Sequence, residues 1–108
     1  MTPLFNYESD LRLLTPGQYV LDEFDAAEFP GGTYLVVAKN RDGKTEFTEF
    51  FLTHNSVTGF ITNVRCTSDA ANFLTNYSST IIRHNLRLTV TVTEDVRIKF
   101  YRFLVSIE

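Results

Sequence analysis

The sequence predicts an all-β protein, an antiparallel β-sandwich or jelly-roll-like barrel of roughly seven to eight short strands carrying an extended N-terminal arm. Three observations predict it. Leu86, Leu88, Val90 and Val92 alternate strictly with Arg87, Thr89, Thr91 and Thr93, the period-two signature of a strand with one buried and one solvated face. Turn-forming residues recur at intervals of about ten, the spacing of consecutive strands in a sandwich. No stretch of the chain carries the i, i+3, i+4 apolar spacing of an amphipathic helix. These observations divide the chain into an arm over residues 1–18 and a single β-sandwich domain over residues 19–108.

The arm comes first. Pro3, Pro16 and Gly17 interrupt Leu4, Phe5 and Tyr7 and the cluster Leu11, Leu13 and Leu14. A segment so irregular cannot form a helix, and one so apolar favours a surface to lie on, whether another subunit or, as an edge strand, its own domain. Tyr19 to Asp25 alternates with apolar residues on both sides and predicts a strand. Phe29-Pro30-Gly31-Gly32 punctuates the chain, and Thr33 to Asn40 follows as a strand buried on both faces, with Tyr34, Val36 and Ala38 opposed to Leu35 and Val37. Asn40-Arg41-Asp42-Gly43-Lys44 is the best hairpin turn, because Asp-Gly accepts the positive φ that tight hairpins require. Thr45 to His54 sets Phe47, Glu49 and Phe51 against Glu46, Thr48, Phe50 and Leu52; neither face is cleanly interior, which places this strand at an interface. Phe60 to Cys66 forms the next strand, Ala70 to Thr75 an irregular or single-turn segment, and Thr80 to Arg83 a short strand that His84-Asn85 turns into Leu86–Thr93. After Glu94-Asp95, Val96, Ile98 and Phe100 alternate with Arg97 and Lys99, predicting the second arm of a hairpin. From Tyr101 the apolar set is Tyr101, Phe103, Val105 and Ile107, a change of face that predicts a bulge or a strand leaving its sheet near Phe100.

Composition narrows the function. Hydrophobic residues make up 44% of the chain, as in a globular domain, and 10 Phe with 5 Tyr exceed what one thin sandwich core holds, so some of them belong to contacts with other proteins. A net charge of −3, from 10 basic and 13 acidic residues, argues against a nucleic-acid partner, which needs a clustered basic face. The apolar runs fall far short of the ~20 residues of a membrane-spanning helix. A lone Cys66 excludes an intrachain disulfide, and a start at Met1 without basic residues and an apolar run predicts a whole short chain that folds in a reducing cytoplasm. Asn76-Tyr77-Ser78 matches a glycosylation sequon by chance in that setting.

No catalytic, cofactor or metal site is expected. His54, His84 and Cys66 are the soft metal-ligand candidates, but no two have the close spacing of a zinc site, and turn-located solvated histidines with a small buried thiol explain them better. Ser79, His84 and Asp69 compose a triad on paper, yet no glycines frame a nucleophile elbow. Glu46 and Glu49 are three apart and on a strand face opposite ways, which suits solvated or rim positions and not a carboxylate pair. Arg87, Arg97 and Lys99, beside Glu94 and Asp95, read as a protected solvent-facing strand or as an anchor for an acidic partner surface.

From Tyr34 to Arg102, the stretches YLVVAKNRDGKTEFTEFFLTHNSVTGFITNV and NLRLTVTVTEDVRIKFYR resemble small β-sandwich modules of tailed-bacteriophage virion proteins, of capsid-decoration and tail-fibre type. Asn55-Ser56 stands where an Asp-Gly is usual, and Asn63-Val64-Arg65-Cys66 replaces a Tyr-Gly turn; these departures touch loops. The resemblance implies a non-enzymatic, oligomeric part of a virus particle. The leading expectation is therefore a capsid decoration (cement) protein, a homotrimer clamping the major capsid protein, with Leu4, Phe5, Tyr7, Tyr101, Phe103, Val105 and Ile107 at the contacts. The alternative is a tail-fibre or baseplate component touching the host surface, with aromatics near Phe60 and Tyr77 stacking on sugars. A small hydrolase and a regulator of a host protein are weaker readings.

Overall fold

A computed structural model describes residues 7–106, with the side chain of residue 63 left aside. Among the described residues nine strands lie in two antiparallel sheets packed face to face, so the predicted β-sandwich is the fold. They are β1 (Tyr7–Glu8), β2 (Arg12–Leu14), β3 (Gly17–Asp25), β4 (Gly31–Asn40), β5 (Thr45–His54), β6 (Gly59–Ser68), β7 (Thr75–Ile82), β8 (Asn85–Val92) and β9 (Val96–Val105). The larger sheet runs β1–β9–β4–β5–β6, with β2 also on the free side of β9; the smaller runs β3–β8–β7. No helix occurs among the described residues.

The β4–β5 hairpin closes at Asp42-Gly43 as expected, with Gly43 at φ 81° and Asn40 bracketing the turn through Gly43 N–H to its carbonyl (3.1 Å) and Lys44 N–H to its Oδ1 (2.8 Å). The β7–β8 turn sits one residue earlier than expected, at Arg83-His84, both at positive φ (52° and 74°) as a two-residue hairpin demands. β7 itself begins at Thr75, well before Thr80.

Three expectations about the backbone change. The β8 and β9 segments are not arms of one hairpin: residues 93–95 carry the chain from the small sheet to the large one, so the two strands face each other across the core. β9 has no bulge at Phe100. Its register against β4 is unbroken from Val96 to Val105, and the apparent change of face arises because Arg102 takes an inward position that alternation assigns to a hydrophobe. The irregularity lies in β3, where the register against β8 shifts between Val20 and Asp22, so Leu21 is buried and Asp22 also points between the sheets. Finally, of the two readings of the N-terminal segment, residues 7–18 take the edge-strand one. Tyr7–Glu8 and Arg12–Leu14 hydrogen-bond to β9, and Gly17 opens β3.

Gly31 and Gly32, read as punctuation, are the buried start of β4. β4 is held between β5 and β9 so closely that a Cβ on Gly31 would lie 2.2 Å from the Leu52 carbonyl oxygen, and one on Gly32 2.5 Å from that of Phe103. Only glycine fits there.

Tyr34, Val36, Phe50, Leu52, Ile98 and Phe100 of the large sheet pack against Leu21, Phe24, Leu86, Leu88 and Val90 of the small one, with Leu74 from the β6–β7 link. Tyr34 stacks on Phe50 (5.5 Å between centroids), and Phe50 meets Tyr77 at 5.2 Å. Each such burial contributes about 1.5–3 kcal/mol. Two polar locks tie the layers. Asp22 accepts from Arg102 Nη1 at 2.6 and 2.7 Å and from the Tyr34 hydroxyl at 2.7 Å, while the Arg102 guanidinium lies 4.4 Å over the Tyr7 ring. Glu46, expected at a solvated rim, is 1% exposed and accepts from Leu74 N–H (3.0 Å) and Thr75 Oγ1 (2.7 Å), which anchors the link into β7.

Candidate interaction surface

The two sheets turn very different faces to solvent. On the small sheet the outward positions are mostly polar: Asn85, Arg87, Thr89 and Thr91 of β8, Asn76, Ser78 and Thr80 of β7, and Glu23 of β3, whose carboxylate takes a 2.8 Å bond from Arg87 Nε, with Val20 and Ile82 the exposed hydrophobes among them. That guanidinium holds the Glu23 carboxyl below the usual carboxylate range.

On the large sheet the outward rows are apolar. Thr33 stands between Phe51 and Phe103, Leu35 between Glu49 and Tyr101, Val37 between Phe47 and Lys99, and Gly31 between Thr53 and Val105. Phe47 and Phe51 are each 45% exposed, Phe60 on β6 44% and Val105 41%. The charges in this field are partly neutralised in place: Glu49 pairs with Arg65 of β6, and Lys99 pairs with Glu8 of β1 and lies 5.7 Å from the Tyr101 ring centroid. The result is an exposed apolar and aromatic face larger than the sandwich itself uses.

No family model and no curated protein matches this sequence. Among solved structures, the Acinetobacter phage vB_ApiP_P1 tailspike protein superposes over 98% of this chain with a TM-score of 0.56 and 17% identity. The chain spans 23% of that protein's length. The likeness is one of fold. A weaker match, 7% identical with a TM-score of 0.37, is to the Acinetobacter baumannii phage AM24 tailspike protein, of which the chain covers 27%.

Of the contact residues expected from the sequence, Tyr101, Phe103 and Val105 lie together on this outer face. Tyr7, 45% exposed, does not join them: it lies opposite Arg102 at the sheet edge and meets Phe100 at 5.8 Å. Leu4, Phe5 and Ile107 lie outside the described residues. The sequence placed β5, with Phe47 and Phe51, at an interface without naming them as contact residues, and it read Leu35 and Val37 of β4 as buried. Their signal was present, since β4 and β5 carry hydrophobes on both faces, and only one of those faces can meet the second sheet.

The remaining candidates fall apart. Among the described residues no group of His, Cys, Asp and Glu could hold a metal. His54 is no solvated turn residue: its Nε2 is 2.7 Å from the Phe29 carbonyl oxygen and its Nδ1 accepts from Ser56 N–H at 2.9 Å. His84 is exposed in its turn, and Cys66 is exposed rather than buried, 3.7 Å from Thr48 Oγ1. Ser79 lies against Gly59 at the start of β6, whereas Asp69 follows the far end of that ten-residue strand, bonded to Thr45 N–H. At ~3.3 Å per residue the two cannot share a triad. Tyr77 is unavailable for stacking on a sugar, because its ring packs on Phe50 and burial raises its phenol pKa well above the ordinary value.

Proposed function

We propose that this chain is a non-enzymatic structural component of the tail of a tailed phage, of tail-fibre or baseplate type, which joins its neighbours through the outer face of the large sheet. The observation that carries the reading is the aromatic field around Phe47, Phe51, Tyr101 and Phe103 on a strand framework whose interior is already filled. Such a face binds by apolar area and shape, and needs no reacting group. The fold likeness is to a tail protein, which supports a tail location over decoration of the capsid shell. Its proposed partners are further copies of itself, as a trimer, and a larger virion protein, with assembly in the host cytoplasm.

Mass spectrometry of separated heads and tails tests the location: the chain is expected in tails, and recovery in heads alone restores capsid decoration and removes this reading. Light scattering tests self-association, for which a monomer at micromolar concentration would count against the trimer.

A further inference from the structure

We infer that the cationic end of the large sheet's outer face docks an extended, acidic and apolar segment of a neighbouring protein. The inference rests on reading that face as a docking surface, and it specifies the chemistry of what docks. Lys39 of β4 and Arg97 of β9 are direct cross-strand partners, both exposed on the same face. Like charges placed opposite each other disfavour the sheet that holds them. Among the described residues neither has an ion-pair partner, although Arg41, Arg65, Arg87, Lys99 and Arg102 each have one. In a chain of net charge −3, this is a local concentration of positive charge: the nearby Asp95, which lines the adjoining cleft with Lys39 and Arg97, pairs with Arg41 and with neither of them.

Beside the cations runs a shallow groove whose floor is Leu35, Val37, Phe47 and Tyr101. Along β4 the outward positions are Lys39, Val37 and Leu35, spaced about 6.6 Å apart because alternate residues share a face. An extended peptide has the same repeat. An acidic side chain set against Lys39 and Arg97 therefore brings the side chains two and four residues away over Val37 and Leu35, and an apolar residue suits each. Electrostatic complementarity fixes the register, and the apolar floor supplies affinity. The competing occupant is an acidic sugar chain, whose carboxylates would meet the same cations but whose hydroxyl-rich rings would leave the aliphatic floor of Leu35 and Val37 poorly matched.

The test uses fluorescently labelled short peptides with the full chain, read by anisotropy at about 50 and about 300 mM salt, a range over which exposed charges become strongly screened. One peptide has Glu followed by Leu and Phe at the second and fourth positions beyond it; the second has Lys for Glu; the third has Ser for the apolar residues. The first is expected to bind, less tightly at high salt, and more tightly than the other two. The double variant Lys39→Glu, Arg97→Glu is expected to weaken it by about tenfold or more, since two charge contacts become repulsive. Phe47→Ser should also weaken it, and Lys39→Gln with Arg97→Gln serves if the reversed variant fails to melt cooperatively. No binding of the first peptide, equal binding of the Lys peptide, or indifference to both charge variants overturns the inference. Stronger binding of polygalacturonate at the same residues overturns it in favour of an acidic sugar. If the peptide fails while the chain still assembles into tails through Phe51 and Phe103, only this inference falls; if Phe51→Asp with Phe103→Asp leaves assembly intact, the reading beneath it falls as well.

Discussion

The outward face of the small sheet and that of the large sheet are made by the same chain on the same kind of strand, and they differ in almost every side chain. One carries Thr89, Thr91, Ser78, Thr80 and the Glu23–Arg87 pair with two scattered aliphatics, Val20 and Ile82, and no aromatic; the other carries Leu35, Val37, Phe47, Phe51, Tyr101 and Phe103. Both inner faces are filled, so the hydrophobes on the second surface are not there to hold the sandwich together. The difference separates two uses of apolar residues: those that meet the other sheet stabilise the fold, and those that do not are available to a partner.

The largest expected effect tests the inner side of that division. Arg102→Ala leaves the Asp22 carboxylate, with 11% of its side chain accessible, between the sheets without its guanidinium, and chemical denaturation should show a loss of about 3 kcal/mol or more. Adding Asp22→Ala should restore part of it; a double variant no better than the single would mean that the lock acts through packing on Tyr7 instead of charge. On the outer side, Phe51→Asp should change stability by no more than about 1 kcal/mol, because the ring is half-exposed, while abolishing incorporation into particles. If stability and assembly fall together, the two uses are not separable.

Alkaline pH probes the interior again. Tyr34 and Tyr77 have phenol pKa values raised above the ordinary 10.0, first by burial and, for Tyr34, also by the Asp22 carboxylate. Folded, they stay neutral where the unfolded chain ionises, so the stability they contribute is whole below pH 10 and declines as the pH climbs further. Each adds a slope of about 1.4 kcal/mol per pH unit, and Tyr34→Phe should remove one such slope from denaturation midpoints measured between about pH 9 and 11.5. The small sheet supplies the least effects. Thr89→Glu should alter stability within about 0.5 kcal/mol and leave assembly unchanged. For Glu23 the sign reverses: its lowered pKa contributes stability above the ordinary carboxylate range that is lost as pH falls, and Glu23→Gln should slightly flatten the acid limb of the same titration.

Much of this was legible beforehand, for identifiable reasons. Period-two alternation located β4, β5, β8 and most of β9, and Asp42-Gly43 located their best hairpin, because both signals are local. Arg102 misled in an instructive way. A charged residue in an inward slot looks like a change of register, and only its partner Asp22, eighty positions away in sequence, shows that the register never changed. The buried Glu46 was hidden for the same reason, since its hydrogen-bond donors lie on Leu74 and Thr75.

By itself the sequence determined that this protein is a β-sandwich and that its aromatic residues outnumber the places inside one, because alternation and composition are properties of the chain alone. Which of those residues are left outside was decided only by the tertiary structure. Layer assignment depends on where the chain crosses at residues 93–95 and on the Asp22 bulge that lets Arg102 sit inward, and both are set by contacts between strands far apart in sequence.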